Sequence, residues 1–153
     1  MNSREFVQLF NEYPIFQELE REISAGKSRF GVQNCIGSAK SLLFAHLQKH
    51  TERSVLVVCN NQEDAEYVYA DLQLFTDHNY VFLWKDSFRR NFDMAVPEST
   101  KIQRKASVLD ALSDLDKPKI VVSYPEALLE KIITQDTFQK TKLTFKIGEE
   151  VDL

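Results

Sequence analysis

An α/β fold, a mostly parallel sheet with helices on both faces, is what this chain of 153 residues predicts. Three observations carry the expectation. The short apolar runs Ser54-Val-Leu-Val-Val-Cys59 and Lys119-Ile-Val-Val-Ser-Tyr124 read as strands, the first as one buried on both faces of a parallel sheet. Between such runs, apolar residues recur at i, i+3, i+4 and i+7, which is the helical period. The two patterns alternate as helix-helix, then β-loop-α, β-α, β-loop-α, β-α, and that order implies right-handed crossovers between parallel strands. With 43% apolar and 27% charged residues, the chain has the balance of a soluble globular domain with one core.

Residues 3 to 12 put Phe6, Val7, Leu9 and Phe10 on one helical face, and Ser3 suits a helix start. Pro14 opens a second helix, where a missing N–H is harmless. Ile15, Phe16, Leu19 and Ile23 form its apolar stripe, and Ala25-Gly26 ends it. Residues 1–26 thus read as an N-terminal helical cap on the main fold. Arg29 to Gln33 is a short strand with Phe30 and Val32 facing one way, and Leu42, Leu43, His46 and Leu47 set a helix over Ser38 to His50. After the Ser54 strand, Asn60 or Asn61 caps a helix with Glu63 and Asp64 in its first turn. Its stripe is Ala65, Val68, Tyr69, Leu72 and Phe75.

Tyr80 to Trp84 is a third strand; Ile102, Ala106, Leu109 and Leu112 make the next helix, closed by Asp116-Lys117-Pro118. The Lys119 strand follows, and Pro125 starts a short helix with Leu128, Leu129 and Ile132 buried. Beyond Thr134 the period becomes two, at Leu143, Phe145 and Ile147. Residues 1–133 are therefore expected to form one domain, and residues 134–153 to begin a following, truncated one. The self-contained pattern up to about Ile133 predicts a monomer.

One loop points to chemistry. The phosphate-binding pattern G-x-x-x-x-G-K-[ST] cradles phosphates on backbone N–H groups, with the lysine on the terminal phosphates and the hydroxyl on Mg²⁺. Laid over this chain, it puts Asn34 at the first glycine and Ala39 at the second, while Lys40 and Ser41 stand in place. Asn tolerates the left-handed backbone that the first position often needs. Ala39 is a harder departure, because its Cβ would sit where backbone and phosphate meet. Gly37, Ser38, Lys40 and Ser41 are thus candidates for a vestigial phosphate loop at a helix start. An ATPase of this architecture also needs an acid ending a hydrophobic strand. The Ser54 strand runs into Asn60 and the Lys119 strand into Ser123-Tyr124; Asp86, behind Lys85, is a poor candidate. No specific ATP binding is expected, and no catalytic residue.

Residues 85 to 105 are locally basic: Lys85, Arg89, Arg90, Lys101, Arg104 and Lys105 face only Asp86, Asp93 and Glu98. They read as a long sheet-edge loop anchored by Phe88 and Phe92, as a phosphate or nucleic-acid contact, or as another partner surface. The net charge of -4 gives no general attraction to nucleic acid. Cys35 and Cys59 form no C-x-x-C pair and read as buried reduced thiols, and His46/His50 lack the glutamate of H-E-x-x-H. No metal or cofactor is expected. No apolar run approaches membrane-spanning length and no signal peptide opens the chain, so a cytoplasmic location is the expectation.

The ordered set of phrases resembles a family. Gly37-Ser-Ala-Lys-Ser-Leu-Leu43, Ser54-Val-Leu-Val-Val-Cys-Asn60 with Glu63-Asp-Ala-Glu66, Ile120-Val-Val-Ser-Tyr-Pro-Glu-Ala-Leu128 and Leu143-Thr-Phe-Lys-Ile-Gly-Glu-Glu-Val-Asp-Leu153 are similar to the N-terminal region of the bacterial transcription-repair coupling factors (Mfd). The resemblance implies a P-loop NTPase/helicase-like fold, like the first domain of the excision-repair protein UvrB, with a degenerate nucleotide loop. It implies a non-catalytic scaffold that helps recruit UvrA, chiefly through the domain that follows. DNA and RNA polymerase would be met by other parts of a parent DNA translocase. A working P-loop NTPase and a stand-alone α/β binding module are the other classes.

Overall fold

A computed structural model describes residues 7–10, 13–86, 98–114 and 116–141. Residues 7–10 are helical with Val7 buried, and the rest of the expected first helix lies outside the described residues. Helix α1 (Pro14–Ser24) has the proline in its first turn, as the missing N–H favours, and ends before Gly26, whose φ of +87° suits glycine. Phe16 is buried and Leu19 half-buried, whereas Ile15 faces solvent. Arg29 to Gln33 is not a strand. Phe30 and Val32 are partly exposed there and no described strand pairs with the segment, so its alternation finds no ladder to join.

Helix α2 (Ala39–Thr51) is followed by β1 (Val55–Val58), α3 (Gln62–Phe75), the 3₁₀ turn His78–Tyr80 and β2 (Val81–Leu83). Then come α4 (Glu98–Ser113), β3 (Ile120–Ser123), the single turn α5 (Pro125–Leu128) and α6 (Gln135–Thr141). Asn61 caps α3, its side chain accepting from the Asp64 N–H at 2.8 Å, with Glu63 and Asp64 complementing the helix dipole. Helix α6 falls within the stretch expected to open another domain, and the expected strand at Leu143 to Ile147 lies outside the described residues.

The described sheet has three parallel strands in the order β1-β3-β2, with Val57 opposite Val122 and Leu83 opposite Val122 from the other side. The last strand in sequence therefore enters the middle. Val57, Val81, Ile120 and Val122 share one face by register and are buried with Ala65, Val68 and Leu72 of α3. On the opposite face of β1, Leu56 and Val58 are more than half exposed. The expected burial of this strand on both faces is thus corrected: β1 is an edge strand of the described sheet, with α2 packed against it while α3 packs on β2 and β3.

Two other expected stripes are corrected. On α4, Val108 is buried while Ile102 is 64% exposed, so the buried line runs through Val108 and not Ile102. At α5 only Ala127 is buried; Leu128, Leu129 and Ile132 are exposed, because a one-turn helix turns one side chain inward. Lys119 is buried at the start of β3, and its ammonium is satisfied by the carbonyls of Asp114 and Lys117, closing the exit from α4.

Candidate functional site

The near-phosphate loop leads into α2. Asn34 has φ +62° and Gly37 φ +59°, so both take the left-handed backbone such loops use, an asparagine doing so at the first position. Open space surrounds the place where a Cβ would stand on Gly37, so conformation rather than crowding calls for glycine there. Ser38 is the N-cap of α2 without a side-chain cap bond, and Lys40 is the helix's second residue. Lys40 acts electrostatically on the Cys59 thiol just past β1, lowering its pKa, but burial dominates and pushes that thiol up. The loop therefore sits by the carboxyl end of β1, the side of a parallel sheet where ligands bind. Both cysteines are free and half-buried rather than fully buried.

Ser41 is the residue whose setting sequence could not foresee. It is fully buried, and its hydroxyl donates to Asp71 of α3 at 3.2 Å. Thirty positions separate the pair, so only the packing of α2 on α3 brings them together. Beside the loop, a groove of about 700 Å³ runs between α1 and residues 27–35, with Phe16, Leu19 and Phe30 in its apolar walls and Asn34 and Ala39 also in its lining.

The basic segment divides. Lys85 donates to Glu66 at 2.6 Å, and Lys105 pairs with Glu130 while its ammonium lies 5.2 Å over the Trp84 ring. Lys85 and Gln62 hold the Glu66 carboxyl below its ordinary range. Arg104 is exposed and forms no ion pair among the described residues. Arg89, Arg90 and the side chain of Lys101 lie outside the described residues.

His46 and His50 stack with ring centroids 4.2 Å apart, and one Glu20 oxygen lies 3.4 Å from His46 Nε2 and 3.9 Å from His50 Nδ1. Among the described residues no group of three or more His, Cys, Asp or Glu is arranged to hold a metal ion. His46 is buried against Phe16, and burial first, then His50 and Lys49, hold its pKa below the ordinary value against the opposing pull of Glu20. The unfolded chain therefore binds the proton more readily. Stability from this site is present above the ordinary histidine pKa of about 6.5 and lost as pH falls below it. The melting temperature is expected to drop between about pH 7.5 and about pH 5, and the drop to shrink in His46→Leu. An unchanged drop in the variant would refute this assignment.

No family model matches the chain, and no solved structure does. It is similar to the transcription-repair-coupling factor of Rickettsia typhi, 26% identical over 107 residues, 66% of this chain and 10% of that protein. The chain spans about a tenth of the length of that curated relative. This similarity relates it to a region of a coupling factor. Among the described residues, no helix is long and apolar enough to cross a membrane.

Proposed function

We propose that the chain is a non-catalytic scaffold domain of the transcription-repair coupling type, helicase-like and UvrB-like in fold, which helps bring UvrA to stalled transcription in the cytoplasm. The carrying observation is the similarity to a coupling factor over 107 residues. The state of the loop supports the non-catalytic part. Ser41, which would ligate Mg²⁺ in a working site, is buried and bonded to Asp71, and Ala39 adds a methyl where phosphate and backbone must approach. Contacts with DNA and RNA polymerase are proposed for a larger parent protein.

A working nucleotide site is the second reading, favoured by the left-handed Asn34 and by Lys40 in the first turn of α2. Two titrations of the purified chain separate the readings. Labelled UvrA is expected to give saturable, if weak, anisotropy change, and Mg·ATP no saturable heat. Absence of any UvrA binding would sink the recruiting role. Micromolar ATP binding that Lys40→Ala abolishes would restore the nucleotide site.

A further inference from the structure

A second cleft, of about 620 Å³, lies along β2 at the edge of the described sheet, between α3 and α4, and shares no lining residue with the groove beside the loop that precedes α2. Its apolar walls include two half-buried rings, Tyr69 from α3 and Phe82 from β2. Its polar lining is Lys85 just past β2, and Gln103, Arg104 and Ser107 from α4. Those three helix positions are spaced i, i+1 and i+4, so they share one side of α4. No acidic residue lines the cleft among the described residues.

The donor inventory sets what fits. Arg104 offers a planar fork of N–H groups and has no carboxylate partner among the described residues. Lys85 uses one ammonium hydrogen on Glu66 and keeps two. Gln62 donates to the same Glu66 oxygen at 2.8 Å, so an anion drawing on Lys85 would not strip that carboxylate of its bonds. Ser107 donates to the Gln103 carbonyl at 2.9 Å and retains its oxygen as an acceptor, while the Gln103 amide offers both a donor and an acceptor. Apolar walls with two aromatic rings, neutral polar groups and two cations in a space of this size match one ligand chemistry, a planar heterocycle carrying a phosphate.

We propose that this cleft binds a nucleotide unit, the base against Tyr69 and Phe82 and the phosphate on Arg104 and Lys85. The unit comes either from a free nucleotide or from a single strand of nucleic acid, whose bases stack on aromatic side chains in the same way. The site shares no residue with the loop at Lys40 and does not depend on the proposed function.

The test is NMR titration of the ¹⁵N-labelled chain with AMP, adenosine, inorganic phosphate and a deoxythymidine decamer. AMP, the decamer or both are expected to shift the amides of Phe82, Lys85 and residues 103–107 saturably and to leave those of residues 37–41 in place. Adenosine and phosphate alone should each bind about tenfold or more weakly than AMP, and Arg104→Ala should weaken AMP or decamer binding about tenfold, the worth of one charge-assisted contact. Arg104 is exposed, so its removal leaves the fold intact. Tighter binding of AMP identifies free nucleotide as the source; tighter, salt-sensitive binding of the decamer identifies nucleic acid. The proposal falls if neither probe gives saturable shifts, if Arg104→Ala binds both unchanged, if phosphate alone matches AMP, or if the shifts fall only on residues 37–41.

Discussion

Trp84→Ala is expected to destabilise the domain by about 3–5 kcal/mol, the range for removing a buried large aromatic. Trp84 is 7% exposed, and three kinds of contact meet on it. Its indole N–H donates to the Ala127 carbonyl at 3.2 Å, tying β2 to the turn after β3. Its backbone N–H donates to Val122 at 2.9 Å, and its own carbonyl accepts from the Ser123 hydroxyl at 3.2 Å. The Lys105 ammonium, 5.2 Å over the ring, brings in α4. Alanine opens a cavity at this junction and leaves the buried Ala127 carbonyl without its donor. Trp84→Phe keeps most of the ring and loses only the N–H, so about 1–3 kcal/mol is expected from the carbonyl left unsatisfied. Urea unfolding followed by circular dichroism measures both, since the substitutions remove the chain's one tryptophan. Equal losses in the two variants would show that the hydrogen bond, not the packing, is what matters.

Leu72→Ala is expected to remove about 2–5 kcal/mol from a total that for domains of this kind is about 5–15 kcal/mol. Leu72 is fully buried in the cluster where α3 meets the sheet, with Val68, Val57 and Val122. The sheet beneath has three described strands, so the wall around the cavity is held by backbone pairing and collapses little. Trp84 fluorescence against urea reads the loss. Leu74→Ala on the same helix is the control: Leu74 is 61% exposed, and a change within about 0.5 kcal/mol is expected. A comparable loss in both variants would overturn the orientation of α3.

Much of this architecture was legible in local sequence because local physics fixes it. Pro14 at a helix start, Asn61 as a cap, the Val-rich runs at β1 and β3 and the stripe through Ala65, Val68 and Leu72 each reflect a preference satisfied within a few residues. The candidate loop was legible in the same way, down to an asparagine taking the left-handed backbone at Asn34. Periodicity failed where a residue's fate hung on a distant neighbour. Residues 29–33 alternate like a strand, yet no strand among the described residues pairs with them, and a strand exists only by pairing.

Sequence by itself therefore determined an α/β chain with parallel strands, and it marked residues 34–41 as the candidate loop. Tertiary structure alone decided that β3 enters between β1 and β2, and that one face of β1 stays open at Leu56 and Val58. It alone turned the Ser41 hydroxyl onto Asp71, and drew Lys85 and Lys105 into pairs with Glu66 and Glu130 while leaving Arg104 to solvent. The physical reason is the range of the interactions. Capping, period and turn conformation act within a turn or two of chain, whereas strand order, burial and ion pairing depend on which elements meet after the chain has folded back on itself.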